Sequence, residues 1–68
     1  MMNEISDYER DVNWLNNYAI QHRITLSDDD IEAIAEKICW LVADGINEAD
    51  ARLSATLSYL EMKRRKAA

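Results

Sequence analysis

The chain contains almost no residues that force a turn, and this limits its possible folds more than any other feature. Its 68 residues include no proline and a single glycine, Gly45. A β-sandwich needs a turn about every 8–12 residues, and such turns are rich in glycine and proline. The composition therefore predicts long helices joined by short connectors, within a single domain over residues 1–68.

The middle of the chain has the clearest helix signals. Ser27 is the predicted N-cap, three aspartates follow it in the first turn, and Leu26 and Ile31 are spaced as a hydrophobic staple. Gly45 is the expected left-handed residue of a Schellman ending. These signals predict a helix over about 28–43. Its inner face is the apolar stripe that recurs at helical spacing, namely Ile31, Ile34, Ala35, Ile38, Leu41 and Val42.

Two more helices are predicted on either side of this one. A capping-box pattern at Ser6 and an apolar stripe that includes Ile5, Tyr8, Val12 and Leu15 indicate a helix over about 5–22. Asn47 caps a helix over about 48–65, and residues 1–4 and 66–68 are expected to fray. The predicted inner stripe of this third helix is Ala49, Leu53, Thr56, Leu57 and Leu60. The sequence thus predicts an all-α, three-helix bundle.

The size of the chain favours self-association. A domain this small usually gains stability from disulfides, a metal ion or a partner, and Cys39 alone can form no internal disulfide. A second copy would supply the missing core volume, so we expect a homodimer. A second stripe on the third helix would let another helix approach closely, and the residues predicted for self-association are Ala51, Ala55, Tyr59 and Met62.

Both tryptophans lie off the predicted inner stripes. Trp40 falls roughly opposite Ile38 at about 100° per residue, and Trp14 lies off the stripe of the first helix. The alternative is that such residues only overlap the edge of the core, because helices in a small bundle bury wide arcs. Trp and Tyr are enriched at binding surfaces. The predicted partner-binding residues are Trp14, Tyr18, Asp29, Glu36 and Trp40.

The charge of the chain is strongly uneven. Residues 1–50 carry twelve acidic and three basic residues, a net charge of −9, whereas residues 51–68 carry a net charge of +4. An acidic domain repels nucleic acid and attracts basic surfaces. We therefore expect an inhibitor or regulator, of the type that mobile elements encode, which docks on a basic protein that handles nucleic acid. The alternative is that the acidic charge only keeps the domain soluble.

Two other functions are compatible with the sequence. The second and third helices, with the tight turn between them, have the outline of a helix-turn-helix. The protein would then be a DNA-binding regulator, whose possible phosphate contacts are Lys63, Arg64, Arg65 and Lys66. Glu48 and Asp50 oppose this, because carboxylates at the start of a recognition helix repel phosphates, and the tail cations equally complement the helix dipole. The other alternative is a structural subunit of a helical assembly.

Nothing in the sequence predicts catalysis. Cys39 is expected to be a small buried hydrophobe and His22 a helix-end or core-edge residue, and no catalytic, phosphate-binding or metal-ligand spacing is present. We therefore expect a non-enzyme without cofactor, metal or small-molecule substrate. No apolar run reaches the length of a membrane span, and a lone thiol fits a reducing compartment, so we expect a cytoplasmic protein that does not contact membranes.

Overall fold

A computed structural model describes the backbone of residues 7–67 and the side chains of residues 8–66. It contains three helices, α1 (Asp7–His22), α2 (Asp28–Ala43) and α3 (Glu48–Ala67), and no strand within the described range. The prediction of an all-α, three-helix domain is confirmed, and the bounds of α2 agree with those expected from its caps.

The helix ends differ from the prediction in one place. α3 continues through residues 66 and 67, which we expected to fray. A helix terminus rich in lysine and arginine is favoured by the helix dipole, which accounts for these two additional residues. Ile5, the Ser6 cap and the predicted fraying of residues 1–4 and 68 lie outside the described residues.

Reciprocal capping fixes the start of α2. The Ser27 hydroxyl accepts a hydrogen bond from the backbone N–H of Asp30 at 3.1 Å, and the Asp30 carboxylate accepts one from the N–H of Ser27 at 3.0 Å. At the other end Gly45 has φ +100°, and the N–H of Ile46 donates to the carbonyl of Leu41 at 3.1 Å. The predicted N-cap and Schellman ending are confirmed.

The α2–α3 turn is closed by a second cap. The Asn47 side-chain oxygen accepts a hydrogen bond from the N–H of Asp50, and its amide nitrogen donates to the Asp50 carboxylate, both at 2.9 Å. Asn47 is therefore the N-cap of α3, as predicted, and only four residues separate the two helices.

α2 is the central helix, because it packs against both α1 and α3. The core is small. It consists of Leu15 from α1, the isoleucine stripe Ile31, Ile34 and Ile38 from α2, and the alanines Ala51 and Ala55 from α3. Alanine at the contact lets α3 lie close to α2. Val42, predicted on the inner stripe, is 39% exposed, because it lies in the last turn of α2 beyond the core.

The orientation of α3 was predicted wrongly. Its buried face carries Ala51, Ala55 and Thr56, whereas Leu53 and Leu57 of the expected inner stripe are 46% and 50% exposed. α3 is thus turned so that its smaller, less hydrophobic stripe faces the core. Polar contacts with the other two helices explain this rotation.

The first of these contacts is made by Asp30, which is buried at the start of α2. Its carboxylate accepts hydrogen bonds from the Tyr59 hydroxyl at 2.5 Å and the Lys63 ammonium at 2.7 Å, besides the N–H of Ser27. Lys63, Tyr59 and Ser27 together hold the pKa of Asp30 well below its usual range, and the bond to Asp30 raises the pKa of Tyr59.

The second contact joins α3 to α1. The Arg52 guanidinium donates a hydrogen bond to the Asp11 carboxylate at 3.0 Å, and both side chains are largely buried. Tyr59, Lys63 and Arg52 all lie on one side of α3, so satisfying Asp30 and Asp11 together fixes the rotation of that helix. Leaving either carboxylate buried and unpaired would cost more than leaving two leucines half exposed.

The Asp30 contacts predict a specific pH dependence of stability. Because the pKa of folded Asp30 is depressed, the unfolded chain binds a proton that the folded chain does not, and stability falls as the pH drops below about 4. Urea unfolding of Asp30→Asn should show a loss of about 1–3 kcal/mol at pH 7 and a shallower decline between pH 5 and pH 3. Its neighbour Asp29 is exposed, so Asp29→Asn should change stability by no more than about 0.5 kcal/mol. Equal losses in the two variants would contradict the assignment.

Arg23 ends α1 in a conformation that costs free energy. It has φ +56°, and the N–H of Ile24 donates to the carbonyl of Ala19 at 2.9 Å, which makes Arg23 the left-handed residue of a Schellman ending. Arg23→Gly should raise the free energy of unfolding by about 0.5–1 kcal/mol, because relief of the left-handed strain exceeds the entropy added to the unfolded chain. Gln21→Gly, within α1, is the control and should lower stability. A fall in both variants would show that Arg23 is not strained.

Candidate protein-interaction surface

The outer side of α2 carries a continuous acidic strip. Asp29, Glu32, Glu36 and Trp40 follow one another at steps of three and four residues and span an arc of about 80°. All four are exposed, and Trp40 is 69% exposed. We call these four residues the acidic face. Three of the five predicted partner-binding residues belong to it.

The acidic face differs electrostatically from the acids that hold the fold together. No hydrogen bond or ion pair links the side chain of Asp29, Glu32 or Glu36 to another residue of the described chain. By contrast, Asp11 of α1 and Asp30 of α2 are paired with cations of α3, and Glu48 and Glu61 are paired with cations of their own helix. The carboxylates of the acidic face thus have no role in holding the helices together.

The acidic face borders two depressions, each lined by an exposed aromatic residue. Tyr8 of α1, which is 52% exposed, lines a shallow depression with Asp29, Glu32 and Glu36. Trp40, at the end of the acidic face, lines an open groove between α2 and α3. The helical spacing predicted Tyr8 on the inner stripe of α1, so its exposed position differs from the prediction. The spacing from Leu15 is that of an inward residue, but Tyr8 lies in the first turn of α1, beyond the buried core.

The groove beside Trp40 has an apolar centre and a charged rim. Met62, which is 49% exposed, and Tyr59 line it from α3, while Glu36 and Lys37 line it from α2. An apolar patch bordered by polar groups is the usual anatomy of a protein-binding surface. Met62, predicted for self-association, therefore lies beside Trp40.

The other two predicted partner residues lie on a different helix. Trp14 is half-buried against the core, and Tyr18 stacks between Trp14 and His22 along α1, with ring centroids 5.2 Å and 4.1 Å apart. The alternative of a core-edge position describes Trp14 better than it describes Trp40. Trp14 does not line the groove beside Trp40.

The structure corrects the predicted self-association stripe. Ala51 and Ala55 are completely buried against α2, and Tyr59 is half-buried with its hydroxyl on Asp30. These three residues hold α3 on its own chain, and the two alanines are not accessible to a second copy. The stripe of small residues does let a helix approach closely, but that helix is α2.

The basic residues at the end of α3 are partly engaged within the chain. Lys63 is paired with Asp30 and Arg65 with Glu61, while Arg64 and Lys66 are exposed. The Tyr59 and Lys63 contacts show that α3 runs back along the whole of α2, as in an antiparallel helical hairpin. A helix-turn-helix pair instead crosses near its turn. This geometry does not favour the DNA-binding alternative.

A second depression lies where α1, α2 and α3 meet. It has a volume of about 330 Å³, and its apolar floor includes Ile38, Cys39 and Val42, with the Asp11–Arg52 pair at its edge. Cys39 is exposed here, contrary to our expectation of a buried thiol, because it points to the gap beside α1 rather than into the core. Within the described residues, no group of His, Cys, Asp and Glu is arranged to hold a metal ion.

Comparisons with known proteins return no relative. The chain matches no family model, and no curated protein or solved structure is significantly similar to it. In the part of the chain that the structure describes, no helix combines the length and apolar character needed to span a bilayer.

Because Trp40 is exposed and Trp14 is half-buried, we predict that replacing each with alanine changes the free energy of unfolding by different amounts. Trp40→Ala should change the free energy of unfolding by no more than about 0.5 kcal/mol, because little of the ring is buried. Trp14→Ala should cost about 1–3 kcal/mol, since its ring packs on the core. Urea denaturation followed by circular dichroism measures both. A larger loss for Trp40→Ala than for Trp14→Ala would mean that Trp40 supports the fold.

Proposed function

We propose that this protein is a small acidic interaction module that docks, through the acidic face of α2, on a basic surface of a protein that handles nucleic acid. The observation that carries the proposal is the exposure of Trp40 beside carboxylates that have no partner in the fold. In this proposal the protein acts as an inhibitor or regulator, because its negative surface occupies a site that otherwise holds phosphates.

Trp40 supports the proposal as an anchor residue. A tryptophan that is 69% exposed contributes little to a monomer. In a protein complex, however, buried tryptophans are among the residues whose truncation costs most. Met62 extends the apolar area across the groove, and Glu36 and Lys37 lie at its rim.

The unpaired carboxylates support a basic partner. Asp29, Glu32 and Glu36 lie along one helix face and project negative charge without neutralisation by their own chain. Such an arrangement speeds association with a positively charged surface and disfavours acidic ones. The acidic face would then compete with nucleic acid for the same cations.

A capture experiment with matched variants tests this function. Tagged wild-type protein is incubated with an extract of the source cells, beside the double variant Glu36→Lys/Trp40→Ala. The control is Glu61→Lys/Ile20→Ala, which makes the same change in charge and also removes an exposed apolar side chain, but away from the acidic face. We expect a partner that the wild type and the control retain and the face variant loses, and that added duplex DNA releases.

The outcomes separate the two parts of the proposal. If every captured protein is retained equally by both double variants, the acidic face is not the docking site. If the face variant loses a partner that duplex DNA does not release, the face binds a protein, but competition with nucleic acid is wrong.

A further inference from the structure

The rotation of α3 leaves an apolar stripe facing outward. Leu53 and Leu57 are 46% and 50% exposed, and the half-buried Leu60 continues the line at a helical spacing of four and then three residues. These three residues are the outer leucine stripe. They lie about 160° around α3 from the alanines that pack on α2, so α2 cannot cover them.

The charges at the two ends of α3 indicate what covers this stripe. The first turn contains Glu48 and Asp50, and the last turn contains Arg64, Arg65 and Lys66. A second α3 laid antiparallel on the stripe places each acidic end against the basic end of the other helix. A parallel arrangement would bring like charges together at both ends, which is destabilising.

The apolar positions match in the same register. With the two-fold axis between Thr56 and Leu57, Leu53 of one copy faces Leu60 of the other, and Leu57 lies close to the axis. Asp50 and Arg64 lie on the same side of α3 as the stripe, and in this register Asp50 of one copy comes within one residue of Arg64 of the other. One stripe is therefore complementary to itself in both shape and charge, which is the requirement of a two-fold symmetric interface.

We propose that the outer leucine stripe of α3 is a homodimer interface in which two α3 helices pack antiparallel. This interface is opposite the alanine stripe that the sequence suggested. It also leaves Trp40 accessible, because the groove that Trp40 lines is bordered by Tyr59 and Met62 of α3 and not by Leu53 or Leu57. The dimer thus presents two acidic faces, and its existence does not depend on the proposed function.

Sedimentation equilibrium over a range of concentrations up to about 1 mM tests the dimer. We expect the wild type to self-associate and Leu53→Glu/Leu57→Glu to raise the dissociation constant at least tenfold. The control Ile20→Glu/Met62→Glu adds the same charge at exposed apolar residues elsewhere and should leave the dissociation constant within about twofold, as expected for residues outside an interface. Circular dichroism confirms that each variant is folded.

A charge exchange tests the antiparallel arrangement. Asp50→Lys and Arg64→Glu should each weaken the dimer several-fold, and the two together should restore it, because the pairs form again with reversed sign. A wild type that stays monomeric throughout the range, or a leucine variant that associates as tightly as the wild type, would overturn the interface. Failure of the double exchange to recover affinity would overturn the antiparallel register.

Discussion

The buried carboxylate of Asp30 is the interaction on which most of this fold depends. It lies at the first turn of α2, where it closes the capping box with Ser27, and it also receives the hydroxyl of Tyr59 and the ammonium of Lys63 from α3. One side chain thereby fixes where α2 begins, how far α3 extends along it and which face α3 turns inward. In a chain with so small a core, one fully satisfied polar group can decide between two otherwise similar packings.

The observed packing of α3 exposes apolar surface but satisfies buried carboxylates. Turning Ala51 and Ala55 inward leaves Leu53 and Leu57 half exposed. In return, α3 lies close to α2, and the carboxylates of Asp30 and Asp11 both find cationic partners. The same preference explains why the apolar side chains left exposed or half-buried on α3 include the continuous stripe of Leu53, Leu57 and Leu60.

The sequence predicted the local features of the fold well and the long-range ones poorly. Ser27, Gly45 and Asn47 act within a few residues of themselves, so their positions gave the bounds of α2 and the start of α3. The orientation of α3 depends on contacts that are distant in the chain. Tyr59 and Lys63 bind Asp30, and Arg52 binds Asp11 across a separation of 41 residues. Helical periodicity shows that α3 has two apolar stripes but does not show which of them meets α2.

The candidate site was likewise predicted where it depends on one helix and missed where it depends on the packing of two. Asp29, Glu36 and Trp40 share a helix, and their common outward face followed from the 100° step alone. The positions of Tyr8 and Cys39 depend on where α1 crosses α2, which no pattern within one helix contains.

The double role of Asp30 also affects how the molecule moves. The first turn of an isolated helix opens readily, because its end groups are held by few bonds. Here that turn cannot open without releasing Tyr59 and Lys63, and with them the second half of α3. We therefore expect the start of α2 and the end of α3, although far apart in the chain, to open as one cooperative unit.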